Sequence, residues 1–484
     1  MKKGVIFSNV RNCIRNTSEV LDLDVSFVEK VLISKNVIPD LAMDCSKRSK
    51  LELKPHQQNI LNWLDDNRGL IVVHDVGTGK TLLAVAICEC QLFSKKSEVR
   101  KVIVITPKSL TANFITGMET YGVSSLSREL YEIHTYGSFY RTYQQKSLPF
   151  GSMVVLDEAH HLKEKLKGVM IRNKLKYAAK VLLLTATPVF NKIHDITNLV
   201  ATVRNEEPLS ENRLDGLLAD NAKFNAYFSC IFSFYTPKVN LKYPDLEIHD
   251  VAIPMTPEYY QEYRKIELKQ QNQFGHLKAI QNPKVFYVGL RVATNIVENS
   301  TKIHKATEFI DDWNRKHLKT LVYSAFKEHG IDTIARILDE KHIGYTTLSG
   351  DLSKERRVAN VGKFNNDKVN VMLITKSGML GIDFKGVKKV IVLESTWNKA
   401  TENQIIGRAH RYNAHKGYPH PHKIDVYKFI VKKPSFGSML RDSKDTTGSA
   451  DEILERISIE KAKQTDTFIK QLKTISIENK NIIC

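Results

Sequence analysis

Eight residues, HDVGTGKT at 74–81, carry the first legible chemistry. Gly79, Lys80 and Thr81 fill the last three places of the phosphate-loop pattern G-x-x-x-x-G-K-[ST], and His74 stands where the first glycine is usual. In such a loop, helix N-terminal amides hold a phosphate. The lysine reaches the β- and γ-phosphates and the threonine hydroxyl holds Mg2+. GKT alone is a weak signal, so its setting decides. LIVVHDVG (70–77) reads as a buried strand entering a turn, and LLAVAICECQLF after it as an amphipathic helix. That strand–turn–helix context is the one a phosphate loop needs.

Three further stretches have reactive residues at telling places. VVLDEAHHLK (154–163) puts Asp157 and Glu158 at the exit of an apolar run, the edge where open α/β sheets bind ligands. An aspartate there can hold Mg2+, and its neighbouring glutamate can orient or deprotonate water. LLLTATPVFN (182–191) places Thr185 and Thr187 at another strand exit, with Pro188 behind them. QIIGRAHR (404–411) spaces Gln404, Arg408 and Arg411 at i, i+4 and i+7. On a helix these share one face, as an arginine finger aimed at a phosphoryl group requires. Each stretch has a plainer reading: a helix-starting acidic pair, an ordinary turn, a solvated basic face.

The elements that must position these residues come in two series. KVIVITP (101–107), SMVVLDEA (152–159) and KVLLLTATP (180–188) repeat the strand pattern of 70–77. LKTLVYSAF, KVNVMLITKSG, KKVIVLES and KIDVYKFIV form the second series between 318 and 431. Apolar runs separated by helical patterns predict parallel sheets with helical crossovers. Two series predict two α/β layers. We expect a leader at 1–48, an ATP-binding lobe at 49–205, a helical insertion at 206–300, a second lobe at 301–435 and a C-terminal helical brace at 436–484. The segment 450–475 is expected to be an amphipathic helix.

Composition bounds the partners. The 484 residues carry 72 Lys and Arg against 53 Asp and Glu, a net charge of +19. A surplus of that size suits a polyanion such as nucleic acid. The six cysteines lack zinc spacing and suggest reduced thiols in an intracellular setting. No apolar run approaches the ~18 residues of a membrane span, so no membrane partner is expected.

Taken in order, the motifs resemble those of superfamily 2 helicases and translocases, from about residue 50 to 432. LKPHQQNILNWL (53–64) resembles the glutamine motif, and HDVGTGKT motif I. VIVITPKSLTANF (102–114) is similar to motif Ia and HTYGSF (134–139) to motif Ib. DEAH (157–160) and TATP (185–188) match motifs II and III. LVYSAF (321–326), ITKSGMLGIDF (374–384) and QIIGRAHR are similar to motifs IV, V and VI. LKPHQ, PKSLTANF, DEAHHLK and WNKATENQIIGRAHR further resemble the Swi/Snf-like branch. The His74 form of the loop and the ending ADEILERI look most like the nucleoside triphosphatases and early-transcription-factor helicases of poxviruses and other large DNA viruses.

The resemblance implies two RecA-like lobes using ATP and Mg2+. It implies that Gln57 reads adenine, that Gly77, Thr78, Gly79, Lys80 and Thr81 hold phosphates, and that Thr81 and Asp157 hold Mg2+. Glu158 would activate water. Gly381 and Asp383 would line the second-lobe side of the cleft, and Gln404, Arg408 and Arg411 would complete it. Pro107, Lys108, Thr135, Ser324 and Thr375 would meet the nucleic-acid backbone. His160, Thr185 and Thr187 would couple hydrolysis to movement. DNA is the favoured partner and RNA the alternative. A viral RNA polymerase or transcription factor is a further expected partner, in host cytoplasm, viral factory or virion. A catalytically silent transcription-factor subunit is the competing non-enzymatic reading.

Overall fold

The computed structural model describes residues 47–479, apart from 95, 165, 190–191, 238–242, 282, 297–299, 377–381, 412, 436, 440, 443–444 and 446. The leader therefore lies almost wholly outside the described residues. The chain forms two compact units: residues up to Pro237 together with Thr465 onward, and Lys238–Gln464.

Unit 1 holds a six-stranded sheet of β1 (Gly69–His74), β2 (Lys101–Thr106), β3 (Tyr131–Thr135), β4 (Ser152–Asp157), β5 (Lys180–Thr185) and β6 (Phe232–Tyr235). Its order is β3-β2-β4-β5-β1-β6, and every pairing is parallel. Side chains alternate across the pleat. Ile71 and Val73 enter one apolar cluster with Phe139, Leu199 and Phe224. Leu70 and Val72 enter another with Leu83, Ile87 and Phe114. Both faces are thus covered, which is why these strands are uninterrupted apolar runs.

Unit 2 repeats the plan with β7 (Asp245–Pro254), β8 (Thr320–Tyr323), β9 (Tyr345–Leu348), β10 (Val371–Ile374), β11 (Lys389–Val392) and β12 (Lys423–Lys432). The order is β7-β12-β11-β8-β10-β9, again all parallel. Val322 and Leu373 pack on one face, Leu321 and Met372 on the other.

The predicted strands all form, as does the helix Ala450–Thr474. The span 206–300 is not purely helical. It contributes β6 to the first sheet and β7 to the second, beside the helices Pro257–Gln281 and Pro283–Ile296. Both are edge strands; β6 is the four-residue FSFY and β7 is largely exposed, so neither shows the apolar run of a central strand. The thiols also depart from expectation. Cys88 is free and buried, whereas Cys90 and Cys230 are in disulfides, because spacing along a chain does not reveal which cysteines meet in space. Among the described residues no helix is long and apolar enough to cross a membrane.

The end of the long helix is bound into unit 1 by aromatic contact. Phe468 lies edge-on to Phe224 and Phe228, with ring centroids 5.9 and 5.7 Å away. Edge-to-face pairs add to simple burial. Phe468→Ala is expected to lower the unfolding free energy of unit 1 by about 3–5 kcal/mol, read by denaturant titration. An unchanged midpoint would show that the helix end is not integral to this unit.

Candidate ATP site and nucleic-acid interface

In unit 1 the loop after β1 turns through Gly77 (φ 80°) and Gly79 (φ 84°) before the helix Lys80–Phe93 begins. Left-handed backbone favours glycine at both places. At Gly79 space also demands it: a Cβ would sit 2.8 Å from Nε2 of Gln57. The Lys80 ammonium donates to the carbonyls of His74 (2.7 Å) and Asp75 (2.9 Å). Thr78 closes the turn by donating its hydroxyl to the Asp75 carbonyl at 2.7 Å. Thr81 follows Lys80 in the first helical turn, where unpaired amides and the helix dipole favour an anion.

Gln57, expected at adenine, is buried, and both ends of its amide are engaged. Nε2 donates to the Gly79 carbonyl at 3.2 Å, and Oε1 accepts the Lys54 amide at 2.9 Å. In this structure it braces the phosphate loop.

Asp157 ends β4, buried, with Oδ2 accepting the Thr106 hydroxyl at 3.2 Å. Burial, with adjacent Glu158, raises its pKa to about 6 against the opposing pull of Lys80 and Thr106. Two neighbouring carboxylates short of positive charge suit a divalent cation, so the residues present fit Mg2+. Glu158 adopts a left-handed backbone (φ 53°). This turn brings its Oε2 within 3.3 Å of His160 Nδ1. Tyr136 holds the turn from beneath, its hydroxyl directed at the carbonyls of Asp157 (2.8 Å) and Glu158 (3.2 Å). Neither Thr106 nor Tyr136 was singled out in the sequence. Both lie within motifs that were quoted, at the last residue of a strand and the first of a helix.

The remaining unit 1 residues have plainer settings. Thr185 accepts the Thr187 amide at 3.0 Å, while the Thr187 hydroxyl is buried without a partner among the described residues. Thr135 caps the helix Tyr136–Tyr143 by accepting the Ser138 amide at 3.0 Å. Pro107 is buried and Lys108 beside it is exposed.

In unit 2 the arginines correct one expectation. The helix Lys399–Ile406 carries Gln404 but stops at Gly407, so Arg408 and Arg411 lie in the turn beyond it and not on one helical face. Glycine is a poor helix former and a common terminator. Arg411 donates from Nε to the Gly407 carbonyl at 2.9 Å and forms an ion pair with Asp383. Arg408 is buried, and its carbonyl accepts the Phe384 amide at 3.0 Å. Gly381 lies outside the described residues.

Two expected nucleic-acid contacts face inward. Ser324 is fully buried and donates its hydroxyl to Glu394 at 2.8 Å. The same carboxylate accepts the Ala325 amide at 2.8 Å and the Asn295 amide at 2.7 Å. Gly330 permits this, since a Cβ there would lie 2.0 Å from the Ser324 hydroxyl. Thr375 is also buried, with its amide donated to Leu348 at 3.1 Å. The Ser324 side chain thus braces the rim of the sheet. Glu394 was overlooked although VLES repeats the strand-then-acid pattern of VVLDE.

The raised Asp157 pKa has a signed consequence. The folded chain holds this proton more tightly than the unfolded chain, whose aspartates titrate near ~3.9. Ionised Asp157 therefore costs stability above about pH 6, and the cost fades as pH falls toward the unfolded value. Asp157→Asn is expected to stabilise the nucleotide-free protein at pH 8 by on the order of 1–3 kcal/mol. The gain should shrink at pH 5, while Mg-ATP turnover is lost. Melting curves at the two pH values check this; equal gains at both would refute it.

Residues 50–190 match the res subunit of type III restriction enzymes, and residues 301–413 match the helicase conserved C-terminal domain. A protein of Acanthamoeba polyphaga mimivirus, named as an ATP-dependent RNA helicase, is 30% identical over 456 residues, covering 88% of this chain and 98% of its own. The ISWI chromatin-remodelling ATPase of Saccharomyces cerevisiae is 20% identical, over 79% of this chain and 39% of its own. The SWI2/SNF2 ATPase core of Sulfolobus solfataricus, solved with double-stranded DNA, aligns over 80% of this chain and 89% of its own at 20% identity and a TM-score of 0.35. The chain belongs to superfamily 2 of the helicases and is an ATP-driven, nucleic-acid-dependent helicase or translocase.

Proposed function

We propose that the protein moves along duplex DNA, with ATP and Mg2+ held on unit 1 and arginines supplied by unit 2. The observations that support this most lie in each unit by itself. Unit 1 has the phosphate loop facing a buried acidic pair, and unit 2 has two arginines in one turn beside Asp383. In this reading Lys80 and Thr81 bind the phosphates, and Thr81 and Asp157 hold Mg2+. The ion would offset charge on the phosphates. Glu158 orients water, its carboxylate kept in place by the left-handed turn and by His160. Gln404, Arg408 and Arg411 supply hydrogen bonds and positive charge to the transferred group. His160, Thr185 and Thr187 carry the change to the nucleic-acid side, where Lys108, Pro107 and Thr135 meet phosphates without reading sequence.

DNA is favoured by the Swi/Snf-like motif forms and by the net charge of +19. A second reading, with RNA as the track, is favoured by the name of the mimivirus relative. That relative also supports a viral origin. A role beside a viral RNA polymerase or transcription factor, in the host cytoplasm, viral factory or virion, is the setting we assign to the poxvirus-like motif forms.

Lys80→Ala is expected to abolish stimulated ATPase. Arg411→Ala is expected to lower it by about 10³–10⁵-fold, the usual loss for an arginine finger. Turnover measured with double-stranded DNA, single-stranded DNA and RNA separates the tracks. Greatest stimulation by duplex DNA, weakening steeply as salt rises, supports the DNA reading; stimulation by RNA alone overturns it.

A further inference from the structure

The described chain ends beside the phosphate loop of its own unit. Beyond the helix Ala450–Thr474, the Ile477 amide donates to the Phe232 carbonyl at 3.0 Å. The Cys230 amide donates to Ile475 at 3.4 Å. Residues 475–477 thus run against β6, an edge of the first sheet. Glu478 then reaches in with both oxygens. One accepts the Phe234 amide at 3.0 Å and the other accepts the Ser233 hydroxyl.

Ser233 is fully buried, and its oxygen lies 2.9 Å from Nε2 of His74. A serine has one proton, and here it goes to Glu478. The bond from His74 therefore runs from Nε2–H to the serine oxygen, leaving Nδ1 bare. Nδ1 is indeed buried without a hydrogen-bond partner among the described residues. Burial, His56 and Lys80 together keep this imidazole neutral, down to about pH 3. The carbonyl of the same residue is one of the two that hold the Lys80 ammonium.

We propose that the Glu478–Ser233–His74 chain positions the phosphate loop, so that the C-terminal segment sets where Lys80 waits before ATP arrives. Glycine, usual at place 74, has no side chain through which the tail could act. Glu478 and Ser233 are positioning residues, acting through His74 and Lys80; the inference rests on the reading of Lys80 as the phosphate ligand.

The test uses the full chain. Ser233→Ala removes the bridge but leaves the backbone bonds of the tail and the Glu478–Phe234 bond. Glu478→Gln keeps the size of the side chain and removes its charge. Each is made alone and with His74→Gly, and KM for ATP, kcat and melting temperature are measured with saturating nucleic acid. We expect each single variant to raise KM by about three- to thirty-fold, within the range of couplings inside one hydrogen-bond network. Melting temperature and kcat should stay near wild type. In the His74→Gly background neither substitution should add to the effect. Unchanged KM in both single variants overturns the proposal, as do equal shifts with and without His74. Undiminished ATPase in Lys80→Ala defeats the underlying reading instead, whatever the relay variants do.

Discussion

A carboxylate buried at the end of a parallel strand is the constraint on which the rest of unit 1 depends. Asp157 has lost most of its water, and Glu158 stands next to it with the same charge. An isolated buried charge is expensive. The surrounding residues reduce that cost only in part: a hydroxyl from Thr106, the backbone amide of Glu158, and Lys80 on the facing loop. What is left over is an attraction for cations. In the proposed reading that attraction draws a metal ion and the phosphates it accompanies.

The parallel sheet explains why such residues gather where they do. Helices cover both faces of each sheet, so the strand ends are the places left for chemistry. Unit 1 ends β4 with Asp157, and unit 2 follows β11 with Glu394. The two acids have opposite fates. Asp157 keeps capacity to bind a cation, whereas Glu394 is satisfied by a serine hydroxyl, a backbone amide and an asparagine. The first suits ligand binding and the second suits a rigid rim.

Unit 1 is also assembled from distant parts of the chain. Its edge strand β6 comes from the span between the two motif series, and residues after Thr465 pack beside it. Phe468 fills the apolar cluster under the sheet, and Glu478 reaches the rim. An edge strand left open invites unwanted pairing; here residues 475–477 lie along it.

Much of this was legible in the residues alone. Uninterrupted apolar runs predicted eight of the strands by name, because a strand buried on both faces needs apolar side chains throughout. GTGKT predicted its loop, because left-handed turns and close approach leave little choice but glycine. The acidic pair was likewise visible at a strand exit, and the arginines as a spaced row of residue types. The edge strands β6 and β7 were not, since β6 is only four residues long and β7 is largely exposed, so neither carries such a run. Nor was the end of the helix at Gly407, where local termination outweighed the i, i+4, i+7 spacing. Which polar group meets which was decided only in three dimensions. Arg411 found Asp383, Ser324 turned inward to Glu394, and His74 met Ser233 from 159 residues away. Short-range backbone preference and burial pattern are written residue by residue, whereas hydrogen-bond partners depend on which strands lie side by side.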